Sequence, residues 1–322
     1  MASLMRSVVC LISIMLPIAN SEAQDAYPGK KPIEFVVLFP AGSSADVTAR
    51  LLAEGMARQL GTQIVVVNRP GGGGAVGYRY SVAQAPDGYH LVWNSNSIST
   101  TYHTGMLPFD YRAFVPVARV QNETPLLFVR GEAPWKTLRD IVQYAKTNPG
   151  RLTVGNSGTG SHTHFSSVWL FKAAGVQVTD VPFNAAQVVP GLLGAHVDSV
   201  LQLPGALAGQ VQSGAVRALV ALSSARDPFF PQVPTAREQG ANAVAELWRG
   251  VAVPKGTPPR IVARLEDAIR KTVEGADFIR ATEKLLVAPA FLPAAEFGRL
   301  IAKEDAEIAQ AVKALGLRQD AR

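Results

Sequence analysis

Phe39-Pro40-Ala41-Gly42-Ser43-Ser44-Ala45-Asp46 follows the β-branched and aromatic run Ile33 to Leu38 and precedes an amphipathic stretch from Val47 to Leu60. A second passage of the same kind, Asn156-Ser157-Gly158-Thr159-Gly160-Ser161, follows Leu152 to Val154 and opens the helical pattern from His162 to Ala174. Each reads as a strand, a Gly/Ser turn and a helix start. Glycine lets backbone approach a ligand closely, and the first helical turn offers unpaired N–H donors at a positive dipole end. Two such turns can grip an anion.

The same alternation runs along most of the chain. Further strand-like runs are Ile64 to Asn68, Leu91 to Trp93, Leu126 to Val129, Val178 to Val181, Ser199 to Leu201, Arg217 to Ala221 and Arg249 to Val253. Between them lie helical patterns such as Leu138 to Thr147 and Gly205 to Ser213. That order predicts an α/β fold with mostly parallel sheets flanked by helices. After Pro254 three helical patterns follow, Pro259 to Val273, Asp277 to Leu286 and Ala294 to Leu315. Trp248 to Pro254 reads as a strand returning to the first sheet, so the division expected is residues 24–122 with 226–322 as one discontinuous domain and 123–225 as the second. Ligands of open parallel sheets sit at the carboxyl ends of the strands, which turns both Gly/Ser turns toward one cleft between two lobes. The hinge is expected near Ala118 to Val129 and Ala218 to Ser224.

At 322 residues and 48% hydrophobic content the chain can bury a large core. Arg6, the apolar stretch Val8 to Ile18 and the small residues to Ala23 read as a cleaved export signal, residues 1–23, too short to span a bilayer. A buried N-terminal helix and a lipid anchor on Cys10 are the weaker alternatives. Removing the signal takes away Arg6 and Glu22 together, so the formal charge stays +6. It also removes Cys10, the one cysteine, excluding disulfides and thiolate metal sites from the mature chain. No Lys/Arg cluster dense enough for nucleic acid is present. The expected protein is periplasmic and monomeric.

Ser43, Ser44 and the backbone of Ala41, Gly42 and Ala45 are placed as donors to one carboxylate, with a plain helix cap as the alternative. Asp46 reads as the capping-box partner of Ser43, ordering the turn or holding a water. Ser157, Gly158, Thr159, Gly160 and Ser161, with Asn156 before them, form the opposing site. His162 and His164 point about 200° apart on a helix, so no metal site is expected, and His164 is the one placed near the cleft. Asn96 and Ser97, within the polar stretch Asn94 to Thr101, are candidate lining residues or part of an ordinary loop. Phe39, Phe183 and Trp248 are candidate apolar walls or core residues. Gly71 to Gly74 lacks the Lys-Ser/Thr ending of a phosphate loop and reads as a tight strand-to-helix passage.

No catalytic residues are predicted: Gly155-Asn156-Ser157-Gly158-Thr159 departs from the Gly-x-Ser-x-Gly elbow, and no carboxylates cluster. No cofactor is expected either.

From about Tyr27 to Leu317 the chain resembles the substrate-binding proteins of tripartite tricarboxylate transport systems, the Bug family. The resemblance is carried by Phe39-Pro40-Ala41-Gly42 with Asp46 and Ala49-Arg50, Asn68-Arg69-Pro70-Gly71, Ala85-Pro86-Asp87-Gly88-Tyr89 and Asn148-Pro149-Gly150. It continues in Gly158-Thr159-Gly160-Ser161 with His164, Val181-Pro182-Phe183, Val197-Asp198, Val233-Pro234-Thr235 and Pro254-Lys255-Gly256-Thr257-Pro258. It implies a two-lobed, type II-like periplasmic binding protein whose cleft closes on a small carboxylate held by turn amides and bridging waters, then delivers it to membrane permease subunits. The chain departs from the family at Phe183-Asn184-Ala185, where an aromatic-Lys-Gly triplet is usual, at Gly194-Ala195, and at Gln202, four after Asp198, where an acidic residue is frequent. These positions belong to the expected cleft. Two rival readings remain: a ligand sensor presenting its closed form to a membrane kinase, and a periplasmic hydrolase or isomerase using Ser157 or Ser161.

Overall fold

Strand β1 (Ile33–Val37) is buried along nearly its whole length, which only a sheet covered on both faces produces. The computed structural model describes residues 27–317, so the expected export signal and Cys10 lie outside the described residues. From β1 the chain continues through α1 (Ser44–Leu60), β2 (Ile64–Asn68), α2 (Ala75–Val82), β3 (His90–Ser95), α3 (Ser97–His103) and β4 (Phe114–Glu123). It then builds β5 (Leu126–Arg130), α4 (Leu138–Thr147), β6 (Thr153–Asn156), α5 (His162–Ala173), β7 (Thr179–Pro182), α6 (Val188–Leu193), β8 (Ser199–Gln202), α7 (Ala208–Gln212) and β9 (Val216–Ala221). The last part is β10 (Leu247–Pro254), α8 (Pro259–Val273), α9 (Ala276–Lys284), β11 (Ala288–Pro293) and α10 (Ala294–Leu315).

Two sheets result, ordered β11-β4-β10-β3-β1-β2 and β7-β6-β8-β5-β9. They are mixed rather than mostly parallel. β2-β1-β3 and β7-β6-β8 pair in parallel, as their helical crossovers require. The strands that carry the chain between sheets pair antiparallel: β10 with β3 and β4, and β5 with β8 and β9. β4 runs into β5 through Thr124-Pro125 alone, too short a link for a crossover helix.

The strand β4 escaped the sequence pattern because Pro116, Arg119 and Gln121 break its apolar run. The polar stretch from Asn94 is the end of β3 followed by helix α3, not a loop. Its threonine hydroxyls bond into the preceding turn, Thr101 Oγ1 donating to Ser97 O at 2.6 Å and Thr104 Oγ1 to Thr100 O at 2.7 Å, which lets the segment be buried despite its composition.

The segment from Arg226 to Ala245, expected with the first domain, packs on the second sheet. Ala221 N donates to Pro234 O at 3.0 Å, Ala236 N to Ala221 O at 2.9 Å, and Phe230 sits edge-on to Phe128 with ring centroids 6.3 Å apart. Helices α8 and α9 cover the first sheet as expected, Leu265, Ile269 and Phe278 joining a core with Phe35 and Trp93. Helix α10 does more. Phe297 and Ile301 pack with Trp248 on the first sheet, while Ile308 and Val312 pack against Phe165 of α5 on the second.

Where α10 crosses the seam, Glu304 accepts from Trp248 Nε1 at 2.7 Å and from Asn96 Nδ2 at 3.5 Å. Burial pushes its carboxyl up to about 7, the nearby carboxylates of Glu307 and Glu246 adding to the rise and the two hydrogen bonds opposing it. An acid whose folded pKa lies above its unfolded value stabilises the fold fully below about 4.5 and loses that contribution as pH rises through 7. Glu304→Gln is therefore expected to raise the melting temperature above pH 7, by up to about 3 kcal/mol equivalent, and to leave it nearly unchanged at pH 5. Thermal denaturation of both proteins across pH 5 to 8.5 checks this.

Candidate functional site

Both Gly/Ser turns form as strand-to-helix junctions, and their internal bonding decides which amides remain available. In the first, Gly42 takes φ +79°, and Ser43 caps α1 by accepting from Asp46 N at 3.3 Å while donating to Pro40 O at 2.7 Å. Asp46 reaches back to Gly42 N at 3.0 Å and accepts from Asn68 Nδ2 at 2.9 Å and Arg50 Nε at 3.0 Å. Burial works to raise its pKa, but the bonds from Arg50, Gly42 and Asn68 hold it below the usual carboxylate range. Asp46 is thus spent on fastening the turn.

The second turn is equally self-bonded. Ser157 N donates to Thr163 Oγ1 at 2.9 Å, Gly158 N to Asn156 Oδ1 at 3.1 Å, Gly160 N to His164 Nδ1 at 3.3 Å and Ser161 N to Gly158 O at 3.1 Å. The glycine amides expected to meet a ligand are occupied. Among the described residues of the two junctions, Ala41 N and Thr159 N in the turns lack a protein acceptor, and so do, in the first helical turns, Ser44 and Ala45 of α1 and His162 and Thr163 of α5.

All four first-turn residues line one cleft between the sheets. Eight predicted residues join them there or coincide with them: Phe39, Ser43, Ser44, Ser97, Ser157, Ser161, Ala185 and Gln202. Gln202 Nε2 donates to Ser157 Oγ at 3.0 Å, so the departure at this position leaves an amide holding the turn.

The other predicted residues do not line this cleft. Ala41 and Gly42 are exposed. Asn96 Nδ2 donates to Glu246 O at 2.9 Å, Asn156 Nδ2 to Asp180 at 3.4 Å, and Asp198 accepts from Thr153 N and Oγ1 at 2.9 and 2.8 Å. His164 is engaged by Gly160. Trp248 stacks edge-on with Phe297, centroids 4.8 Å apart, facing α10. Gly158, Thr159, Phe183 and Asn184 border a neighbouring groove with Gly71 to Gly74. Gly160 meets Met106 and accepts at its carbonyl from Thr100 Oγ1 at 3.0 Å.

Three polar residues of the lining were missed: His162, Thr163 and Arg249. Strand alternation was the available signal for Arg249, because neighbours on a strand face opposite sides. With Trp248 turned to α10, Arg249 points into the cleft. The same logic on a helix turns His162 inward when His164 turns away.

Arg249 is only 3% exposed, and its Nε donates to Glu123 Oε1 at 2.6 Å. Glu123 also accepts from Gln121 Nε2 at 3.0 Å and from Ser44 Oγ at 2.5 Å, so both its oxygens are engaged. The Nη groups of Arg249 have no protein partner among the described residues. His162 is held neutral: burial, with the charge of Arg249 adding to it, drops its pKa to about 4 against the pull of the Ala245 carbonyl.

A family model described as the tripartite tricarboxylate transporter family receptor matches residues 48–317. BugT of Bordetella pertussis is 31% identical over 86% of this chain and 87% of its own. Among solved structures, the periplasmic binding protein BugD superposes with TM-score 0.86 at 27% identity, covering 91% of this chain and all of that one. A Rhodopseudomonas palustris protein solved with adipate gives 0.85 at 25% identity over 90% of this chain and 98% of that one. MatC of the same organism, solved with malate, gives 0.83 at 28% identity over 89% and 100%. Two-lobed architecture, mixed sheets and solute-binding receptors rather than enzymes are what these relatives share with it. The chain belongs to the tripartite tricarboxylate transporter family of receptors.

Proposed function

We propose that this receptor works in the periplasm, captures a small mono- or dicarboxylate between its lobes and delivers it to membrane permease subunits. The observation that carries the reading is convergence. Four acceptor-free amides at two helix starts, one from each sheet, open onto the same cleft as the free edge of the Arg249 guanidinium. Glu123 balances Arg249, so the uncompensated charge is the pair of dipole ends, roughly half a unit each. One bound carboxylate neutralises it. A guanidinium edge also suits two carboxylate oxygens at once.

The solved relatives with adipate and malate support the ligand class, and the likeness to the periplasmic binding protein BugD supports the periplasmic location. We place the lobe boundaries at the two passages between sheets, residues 124–125 and near 246, which are also the hinge. Closure brings the Gly71–Gly74 passage onto the Gly158–Ser161 turn. At Gly73, where φ is +63°, a Cβ would stand 2.6 Å from Ser161 N and 2.7 Å from Gly160 C.

Three outcomes follow from this reading. In thermal-shift titrations, succinate, malate or lactate at a hundredfold its Kd stabilises the receptor by about 2.7 kcal/mol, and neutral sugars do not. Removing the cation without stranding Glu123, by Arg249→Met with Glu123→Gln, lowers carboxylate affinity about tenfold to a hundredfold by calorimetry. If a neutral sugar or an amine stabilises the receptor and no carboxylate does, the reading is wrong. Gly73→Val keeps the fold but holds the lobes apart. Small-angle scattering then shows no contraction on adding a ligand that contracts the parent protein.

A further inference from the structure

The cleft wall contains a group that a carboxylate cannot satisfy. His162 is 2% exposed and lines the cleft, and its Nε2 lies 2.9 Å from Ala245 O. A carbonyl oxygen only accepts, so the ring hydrogen is on Nε2. In the neutral ring Nδ1 is then a bare acceptor, and among the described residues it is buried without a partner. Ser97 Oγ, on the other sheet's side of the same cleft, is likewise buried without one. A carboxylate oxygen facing His162 Nδ1 would set two lone pairs against each other.

We propose, resting on the carboxylate reading above, that the guest carries an uncharged O–H or N–H donor besides its carboxylate, and that His162 Nδ1 accepts from it. The class is a hydroxycarboxylate or a carboxylate bearing an amide. An ammonium group is disfavoured by the same wall. No Asp or Glu lines the cleft among the described residues, and nearby Glu123 has both oxygens engaged by Arg249, Gln121 and Ser44. A buried ammonium needs such a counter-charge. His162 therefore acts as a specificity residue: a site that leaves a buried acceptor unpaired rejects the analogue lacking the donor.

Matched pairs test this with the intact receptor. Calorimetry with L-malate against succinate, and with D- and L-lactate against propionate, is expected to favour the hydroxy acid by about tenfold or more in at least one pair. In His162→Phe the two members of that pair should bind within about twofold of each other. As a readout independent of that variant's folding, the ¹⁵N resonance of His162 Nδ1 in the parent protein should move on binding the hydroxy acid and not on binding its partner. Equal affinities within every pair, a preference that survives in His162→Phe, or an unmoved Nδ1 resonance would overturn the assignment. If no acid of either kind binds, the carboxylate reading itself fails and takes this one with it.

Discussion

An α-helix leaves its first amides without internal acceptors, and the architecture of this receptor is organised around aiming two such helix starts at one point. Neither start could do this alone. The strands β1 and β6 set where each helix begins, and each is hydrogen-bonded to a neighbour on both sides and largely buried, so the turns they feed have little freedom. The turns then consume their glycine amides in fixing their shape. Asp46 and His164 each spend a side chain on holding one glycine amide, and the ligand is left with what lies beyond, the first-turn amides of α1 and α5. Rigidity in the turn is what makes those amides a preorganised site rather than a loop that must be ordered on binding.

The buried ion pair stands at the seam for a related reason. β4 and β10 are adjacent antiparallel strands, and their register sets Arg249 opposite Gln121 and Leu247 opposite Glu123, which places the guanidinium beside the carboxylate. Burying such a pair costs about as much as it returns unless every remaining donor and acceptor is met. Glu123 meets that condition with Ser44 and Gln121. Arg249 meets it only at Nε, which leaves a desolvated cation edge facing the cleft. Stability alone does not call for that arrangement; the proposed recognition of an anion does. It also couples the site to the scaffold, since Ser44 belongs at once to the helix start and to the pair.

Much of the fold was legible because its signals are local. Nine strands and the long helices follow from apolar periodicity, and both Gly/Ser turns fall where residues such as Ser43 and Ser161 cap helices. What was not legible depends on which face a residue presents after the chain has crossed between sheets. Arg249 reads as one charge in an apolar strand, and only the contact of Trp248 with α10 reveals that its neighbour faces the ligand. His162 and His164 differ in role by two residues on one helix. The return of the chain at Leu247 rather than near 226 was hidden because the passage from Arg226 to Ala245 makes its bonds with Ala221 and Leu222, residues of the second sheet, without any strand or helix of its own.

The contact between lobes shows where the free energy of closure must come from. Gly73 lies against backbone of Gly160 and Ser161, and the hydrogen bond from Thr100 Oγ1 to Gly160 O joins the same two regions. Glycine against glycine buries almost no apolar side-chain surface, so these loops supply shape without driving association. Helix α10 packs on both sheets through Phe297, Ile301, Ile308 and Val312, and so acts as a strut shared by the two lobes. On the proposed reading, the term that changes when a guest arrives is the ligand itself, through amides on both sides of the cleft and Arg249 at its base. A ligand shifts a conformational equilibrium only by its difference in affinity for the two states. A guest that touches α1 but not α5 gains nothing from closure. On the proposed reading, a closed receptor is therefore one whose cleft is filled by a guest reaching both walls.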